Sequence, residues 1–397
     1  MNTQILTEHS AGVTPCGDTA GGGADVGGST LRDGADASND TACRSTAPQN
    51  TAARIDWLDI IKCIAMYFVV IGHACKTSTP DSYRYYIYSF HMPLFFMLSG
   101  AAWFLQTHKG RTGAAPRFRA LSDVVKNKAR ALLWPYLTLN ILAILPWLVN
   151  YRILSHKDQT FADMLWGIVY SNEEVVQSPT NATWFILTLF LTTIVFFLIE
   201  RWAKNNDGVL AAIILGIGAY GYAMSLREDR IDAPWHIETV PIALVLFFIG
   251  FMTMKYLPSF LQLLGGWKRQ LLWFAGALTV GLLCARYNVK ISMATNVYGS
   301  FLLFMGSVLG CSLACFLIAQ WLPRLSILKF IGRNTLTILA FHAPVYRFME
   351  VCSETTSTIL EQHPVLTGTV VFLLMLPVAW IFERWLPFLL GKKAKTK

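Results

Sequence analysis

From residue 57 to residue 389 the chain alternates long apolar runs with short polar connections. Ten runs stand out, over 57–75, 83–105, 131–151, 182–202, 208–226, 239–257, 270–285, 298–321, 330–349 and 366–389. Each is close to the length a helix needs to cross a ~30 Å hydrocarbon layer. The pattern predicts an all-α, polytopic integral membrane protein of about ten transmembrane helices. Residues 1–53 contrast with it. They are rich in Gly, Ala, Thr, Ser and Asp and hold no aromatic residue. Such a stretch cannot bury enough surface to offset its ordering entropy, and it lacks the basic and apolar regions of a signal peptide. The expected organisation is a disordered tail over 1–53, a membrane domain over 54–391 and a short basic tail over 392–397.

Composition agrees with the pattern. Of the 397 residues, 54% are hydrophobic and only 14% charged, against about 25% charged in soluble domains. A plain cytosolic enzyme and a fibrous protein are both excluded. The net charge of +9 is unevenly spread, because the first 53 residues carry only Arg32 and Arg44 as cations. Lys109, Arg111, Arg117, Arg119, Lys126, Lys128 and Arg130 crowd the segment 106–130, opposed by Asp123 alone. Cytoplasmic loops of membrane proteins collect Lys and Arg. This segment is therefore expected in the cytoplasm, with both termini on the same side and the protein in the plasma membrane. The basic charge reads as topology, and no nucleic-acid partner is expected, since no basic run outside the apolar segments interleaves with stacking aromatics. The eight cysteines form no CxxC, so neither a metal site nor a disulfide framework is expected.

Charged groups at membrane depth are costly and point to function by default. The first run carries Asp59, Lys62 and His73. At 100° per residue these three share one helical face, with Lys62 about 16 Å from His73 along the axis. The bland alternative pairs Asp59 with Lys62 as an i,i+3 ion pair, or lets Lys62 snorkel to the interface. His91 precedes Pro93 by two residues, and His342 precedes Pro344 by two. A proline in a helix leaves a carbonyl without its donor, so His91 serves either as compensation for that break or as a catalytic group. By the expected topology His73, His91 and His342 all fall in the outer half of the bilayer, where a shared hydrated cavity explains them. The tyrosines at 83, 85, 86 and 88 read as an interfacial aromatic belt. Trp184-Phe185 reads as interfacial packing, Arg333 and Asn334 as a helix cap or anchor, and Asn181-Ala-Thr183 matches a glycosylation sequon. P-loop, GxSxG and HExxH patterns are absent.

Taken in order, these pieces resemble the acyltransferase 3 family, especially its fucose 4-O-acetylase-like branch. The resemblance rests on Asp59, Lys62 and Gly72-His73, on Phe90-His91-Met92-Pro93-Leu94-Phe95-Phe96, and on Lys128-Ala-Arg130 running into Leu132-Leu133-Trp134-Pro135-Tyr136. Trp184-Phe185, Phe247-Phe248-Ile249-Gly250 and Ile331-Gly332-Arg333-Asn334 through His342 complete it, over residues 54–389. The family's hallmark is a basic residue, typically Arg, ten intervening positions before a His. Here Lys62 and His73 fill those positions, and Lys lacks Arg's bidentate fork.

The resemblance implies a membrane O-acyltransferase that moves an acyl group, in the first instance acetyl, from acetyl-CoA or another acyl-CoA to a hydroxyl of a cell-envelope carbohydrate. The acyl-CoA is a co-substrate, and no permanently bound cofactor or metal is expected. His73 would be the general base, with Lys62, Asp59 and His91 completing the catalytic group. Lys126, Lys128 and Arg130 would contact the acyl-CoA phosphates, while His342, Tyr136 and Trp184 would line the acceptor site. No fused hydrolase-like domain is expected after the tenth run, so any hand-off to one would be in trans. A different class of function, a secondary transporter or exporter using Asp59, Lys62 and His73 as a proton relay, is separated from this by labelled acyl transfer in purified membranes. A purely structural scaffold accounts poorly for Lys and His on one buried face. The topology has its own test. A cysteine introduced at Gly113 should resist an impermeant thiol reagent added outside intact cells, and ready labelling would reverse the orientation.

Overall fold

A computed structural model describes residues 56–75, 81–108, 120–148, 160–172, 175, 178–229, 232–352 and 362–392. The expected tail over 1–53, residues 109–119 of the basic segment and residues 393–397 lie outside the described residues. The described chain is helical, and one isolated antiparallel bridge joins Ser292 and Val297. Among the described residues nine helices are long and apolar enough to cross a membrane. They are α1 (Asp56–Ala74), a pair made of α2 (Tyr83–Tyr88) and α3 (His91–His108), α4 (Leu121–Leu148), α6 (Trp184–Trp202) and α7 (Asp207–Ser225). The others are the span Pro234–Lys255, whose regular part is α8 (Val240–Lys255), then α10 (Trp267–Tyr287), α11 (Phe301–Trp321) and α14 (Pro364–Arg384). Shorter helices are α5 (Phe161–Tyr170), α9 (Leu257–Leu264), α12 (Ser326–Arg333) and α13 (Thr335–Cys352). The chain is thus an all-α multi-pass membrane protein.

Two expected runs differ in detail. The ninth run, 330–349, is not one continuous helix: Asn334 breaks it with φ −113 and ψ 21, separating α12 from α13. The Asn334 side-chain amide donates to the Phe330 carbonyl at 3.0 Å and to Glu383 Oε2 at 2.7 Å, so the broken turn keeps its hydrogen bonds. The basic segment 106–130 is not all loop. From Leu121 it is helix, and α4 continues through a π-type turn at Ala129–Leu133.

Helices α1 and α3 form the interior, with Ile60, Ile61, Met66, Val70, Phe96 and Trp103 buried. Helix α10 lies outermost, only 17% of its apolar stretch being buried. Its exposed Leu271, Leu272, Leu282 and Leu283 suit hydrocarbon, because an apolar face needs no cover there. Hydroxyls inside the spans bond back to their own helix, as Thr107 does to the Trp103 carbonyl and Thr192 to the Thr188 carbonyl. A buried network ties α4 to the turn before α6: Thr180 Oγ1 donates to Asn140 Oδ1 at 2.6 Å, and Asn140 Nδ2 donates to Thr183 Oγ1 at 3.2 Å.

A close helix crossing joins α3 to α8. A methyl group on Gly100 would overlap the Phe247 carbonyl, and one on Gly250 would overlap the Met97 carbonyl. Small residues let backbones approach where lipid supplies no hydrophobic driving force between helices. Gly250→Ala should therefore destabilise the detergent-solubilised protein by at least the ~1–3 kcal/mol typical of overpacking. Size-exclusion recovery after stepwise heating checks this. Gly276, with open space around its Cα, should tolerate alanine.

Candidate functional site

Helix α1 carries Asp59 toward one end and His73 toward the other, while α3 carries His91 and His108 at its two ends. The two carry their polar groups at opposite ends. The histidine end encloses a cavity of about 830 Å³ lined by His73, Arg84, Tyr88, His91, Trp184 and Lys290, among others. Its remaining walls come from the Ser292–Val297 loop and from Leu339, Ala343 and Tyr346 of α13.

Three histidines from separate helices meet here. The His73 and His342 rings lie edge to face with centroids 4.9 Å apart. Tyr88 bridges the other two, 5.9 Å from His73 and 4.9 Å from His91. Arg84 places its guanidinium 4.7 Å from the centre of the Tyr88 ring and donates to the Cys75 carbonyl at 3.3 Å.

Backbone carbonyls fix two of the rings. His91 Nδ1 donates to the Ile87 carbonyl at 2.7 Å, and His342 Nδ1 donates to the Ile338 carbonyl at 3.0 Å. A ring nitrogen facing a carbonyl has to carry the proton, so both rings present an unprotonated Nε2 when neutral. His342 Nε2 is buried and has no hydrogen-bond partner among the described residues. Tyr346 reaches across to donate to the Val70 carbonyl of α1 at 2.9 Å, fixing α13 against the His73 end.

The prolines act differently from expectation. Pro93 falls in the first turn of α3, where a missing N–H is harmless. His91 bonds to Ile87 rather than to Ser89, whose carbonyl Pro93 would otherwise serve. His91 is therefore no patch for the proline. Pro344 sits inside α13, and His342 likewise bonds to Ile338 rather than to Ala340, four residues before the proline.

The far end of α1 holds a separate cluster. Asp59 is 2% exposed, with Arg333 Nε 3.3 Å from Oδ2 and Lys62 Nζ 3.9 Å from Oδ1. Arg333, expected as a helix cap or anchor, is the nearer cation. Gly332 permits this, since a side chain there would overlap the Asp59 backbone. Beside it, Lys329 pairs with Asp56 at 3.1 Å.

The remaining expected site residues fall away from the cavity, apart from Trp184. Lys126 is exposed. Lys128 lies over the Trp103 ring at 5.0 Å and donates to Gln106 at 3.3 Å. Arg130 donates to the Gly391 carbonyl at 3.1 Å. Trp103 itself donates to Glu200 Oε2 at 2.9 Å, near the end of α3 opposite His91. Tyr136 is buried and donates to the Ile168 carbonyl at 2.6 Å, so its hydroxyl is occupied in packing α4 on α5. The structure brings His73, His91 and Trp184 to the cavity wall, with His342 directly behind His73. It does not bring Asp59, Lys62, Lys126, Lys128, Arg130 or Tyr136 there.

Sequence reasoning missed Arg84, Tyr88, Lys290 and His236. Tyr83 is 60% exposed and fits an interfacial belt, but Tyr88 turns inward. The i,i+4 spacing of Arg84 and Tyr88 was the available signal. Lys290 stands in a loop with no local pattern to mark it.

Fold and site together define a multi-pass membrane protein with a histidine-lined cavity at one end. The family model described as an acyltransferase domain, that of the acyltransferase 3 family, matches residues 55–384. The chain belongs to that family and is an acyltransferase acting on groups other than aminoacyl. Neither the curated proteins nor the solved structures gave a match.

The Asp59 cluster yields a stability prediction. Arg333→Met removes the nearer cation and should destabilise the protein by about 1–3 kcal/mol, below the usual cost of breaking a fully buried pair because Arg333 is partly exposed. Lys62→Met leaves Arg333 in place and should cost less. Adding Asp59→Asn to Arg333→Met should restore part of the loss. Thermal denaturation midpoints of the solubilised variants rank the three.

Proposed function

We propose that the protein transfers an acyl group, in the first instance acetyl, from acyl-CoA to a hydroxyl of a cell-envelope carbohydrate, with the histidine-lined cavity as the reaction site. The observation that carries this reading is the convergence of His73, His91 and His342 from three helices at one cavity in a chain of this family. His73 is the leading base because it lines the cavity, is partly exposed to it and packs against His342.

The hydroxyl oxygen attacks the thioester carbonyl, a C–O bond forms and the C–S bond breaks. The hydroxyl proton passes to His73, and the coenzyme leaves as thiolate and then takes up a proton. Arg84, which lines the cavity and stacks on Tyr88, suits the negative charge that develops on the carbonyl oxygen. Lys62, about 16 Å away along α1, is suited instead to the donor. The basic groups Lys126, Lys128 and Arg130 also lie away from the cavity, which supports entry of acyl-CoA from that end and of the acceptor from the histidine end. On this reading the Lys end faces the cytoplasm and the protein lies in the plasma membrane.

The transporter alternative needs a relay along α1. Between Lys62 and His73 that helix offers Cys63 and Tyr67 among apolar and glycine residues, and the Tyr67 hydroxyl pairs with Thr369 at 2.9 Å. That gap disfavours a relay on this helix.

The test is radiolabelled acetyl transfer from acetyl-CoA to the envelope glycan fraction by membranes containing the protein. His73→Ala should cut turnover by roughly 10²–10⁴-fold, the usual share of general acid–base catalysis, at unchanged membrane abundance. Lys62→Arg should keep substantial activity, while Lys62→Met should mainly raise the half-saturating acetyl-CoA concentration. Full turnover in His73→Ala, or no transfer by the unmodified protein, would overturn the assignment.

A further inference from the structure

Behind the cavity wall an imidazole–carboxylate pair lies outside the mechanism above. His236 is fully buried, and neither ring nitrogen has a hydrogen-bond partner among the described residues. Its Nδ1 lies 3.3 Å from Glu238 Oε1. Asn172 steadies that carboxylate, its side-chain amide donating to Glu238 Oε1 at 3.4 Å and to the Ala233 carbonyl at 3.1 Å.

The backbone holds this arrangement at a cost. The turn Pro234–Thr239 places Trp235 at φ 60, ψ 19 and His236 at φ 52, ψ 46, the left-handed region that side-chain-bearing residues rarely adopt. Contacts on three sides pin it there. Trp235 Nε1 donates to the Val169 carbonyl at 2.9 Å, Thr188 Oγ1 donates to the Trp235 carbonyl at 3.3 Å, and Thr239 Oγ1 donates to the Met293 carbonyl at 3.0 Å. An apolar ring would fill the same space without burying an imidazole beside a carboxylate, so packing alone does not account for a histidine.

The His236 ring packs on Trp184 with centroids 5.2 Å apart at 56°, and Trp184 forms part of the cavity wall with His73 and His91. We propose that His236 and Glu238 are a positioning pair for the acceptor. The carboxylate sets the imidazole, and the imidazole sets the Trp184 indole as the face on which a sugar ring stacks. Aromatic faces suit the apolar C–H surface of a pyranose, with polar groups alongside to orient it. The inference rests on the reading of the cavity as the acceptor site and adds a specificity element to it.

Acyl transfer with increasing glycan fraction separates binding from turnover. Glu238→Gln, which keeps the side-chain shape, and His236→Asn should each raise the half-saturating acceptor concentration about tenfold. Maximal rate and half-saturating acetyl-CoA should change by less than about twofold. Trp184→Leu should reproduce the effect, and combining it with His236→Asn should add little. Equal losses on the donor and acceptor sides, or full additivity in the double variant, would overturn the proposal. A readout without turnover keeps it separate from the functional reading. In protein labelled with 5-fluorotryptophan, the ¹⁹F resonance assigned by Trp184→Phe should shift in Glu238→Gln while most others hold still. An unmoved Trp184 resonance would sink the positioning claim even if transfer is observed. Absence of transfer by the unmodified protein would instead sink the assignment of the cavity.

Discussion

The hydrogen bonds from His91 Nδ1 to Ile87 and from His342 Nδ1 to Ile338 are what the candidate site depends on. An imidazole inside an apolar helix bundle has two nitrogens to satisfy and little water to do it. Bonding one nitrogen to the carbonyl a turn earlier removes half of that cost. It also locks the ring against its own helix and sets which nitrogen bears the proton. The other nitrogen is then turned toward the interior with its lone pair available. Two rings fixed in this way, with His73 on a third helix, make a basic, aromatic-walled cavity.

The two ends of the bundle have different electrostatic characters for the same reason. At one end Asp59 is buried between Arg333 and Lys62, and the close approach allowed by Gly332 lets α12 press its backbone on α1. At the other end the cations Arg84 and Lys290 border the cavity among aromatic groups. The proposed transfer from a water-soluble donor on one side to an envelope acceptor on the other suits this polarity. Between the ends α3 and α8 cross at Gly100 and Gly250; α3 begins at His91, and α8 follows directly on the strained turn that carries His236.

A strained turn and some of the buried polar atoms without a hydrogen bond lie around the cavity. His342 Nε2 lies behind His73, and both His236 nitrogens lie behind Trp184. The apolar helix α10, at the periphery, carries nothing comparable among the described residues. In a bundle held mainly by close packing and small-residue crossings, costs of this kind persist where surrounding contacts over-determine the geometry. The turn Pro234–Thr239, pinned by Val169, Thr188 and Met293, is such a place.

Long apolar runs were enough to read the helices, because a span must satisfy its backbone within itself and so declares its length and composition locally. For the same reason His73, His91 and His342 stood out, polar groups being conspicuous in apolar sequence. The one-face geometry of α1 followed from helical periodicity alone. The choice of partners was another matter. Lys62 is three residues from Asp59 and looked like its natural counter-ion, yet Arg333, 274 residues away, lies closer. Tyr88 resembled its belt neighbours until the break between α2 and α3 turned it toward the histidines. Tyr136 and the basic trio 126–130 had the right chemistry for a site but pack elsewhere. His236 carried no local signal at all, since its position comes from a left-handed turn and from Trp184 on another helix. Periodicity governs what a segment is, whereas which side chains meet depends on helix crossings set by Gly100, Gly250 and Gly332 together with their distant partners, and those exist only in the folded bundle.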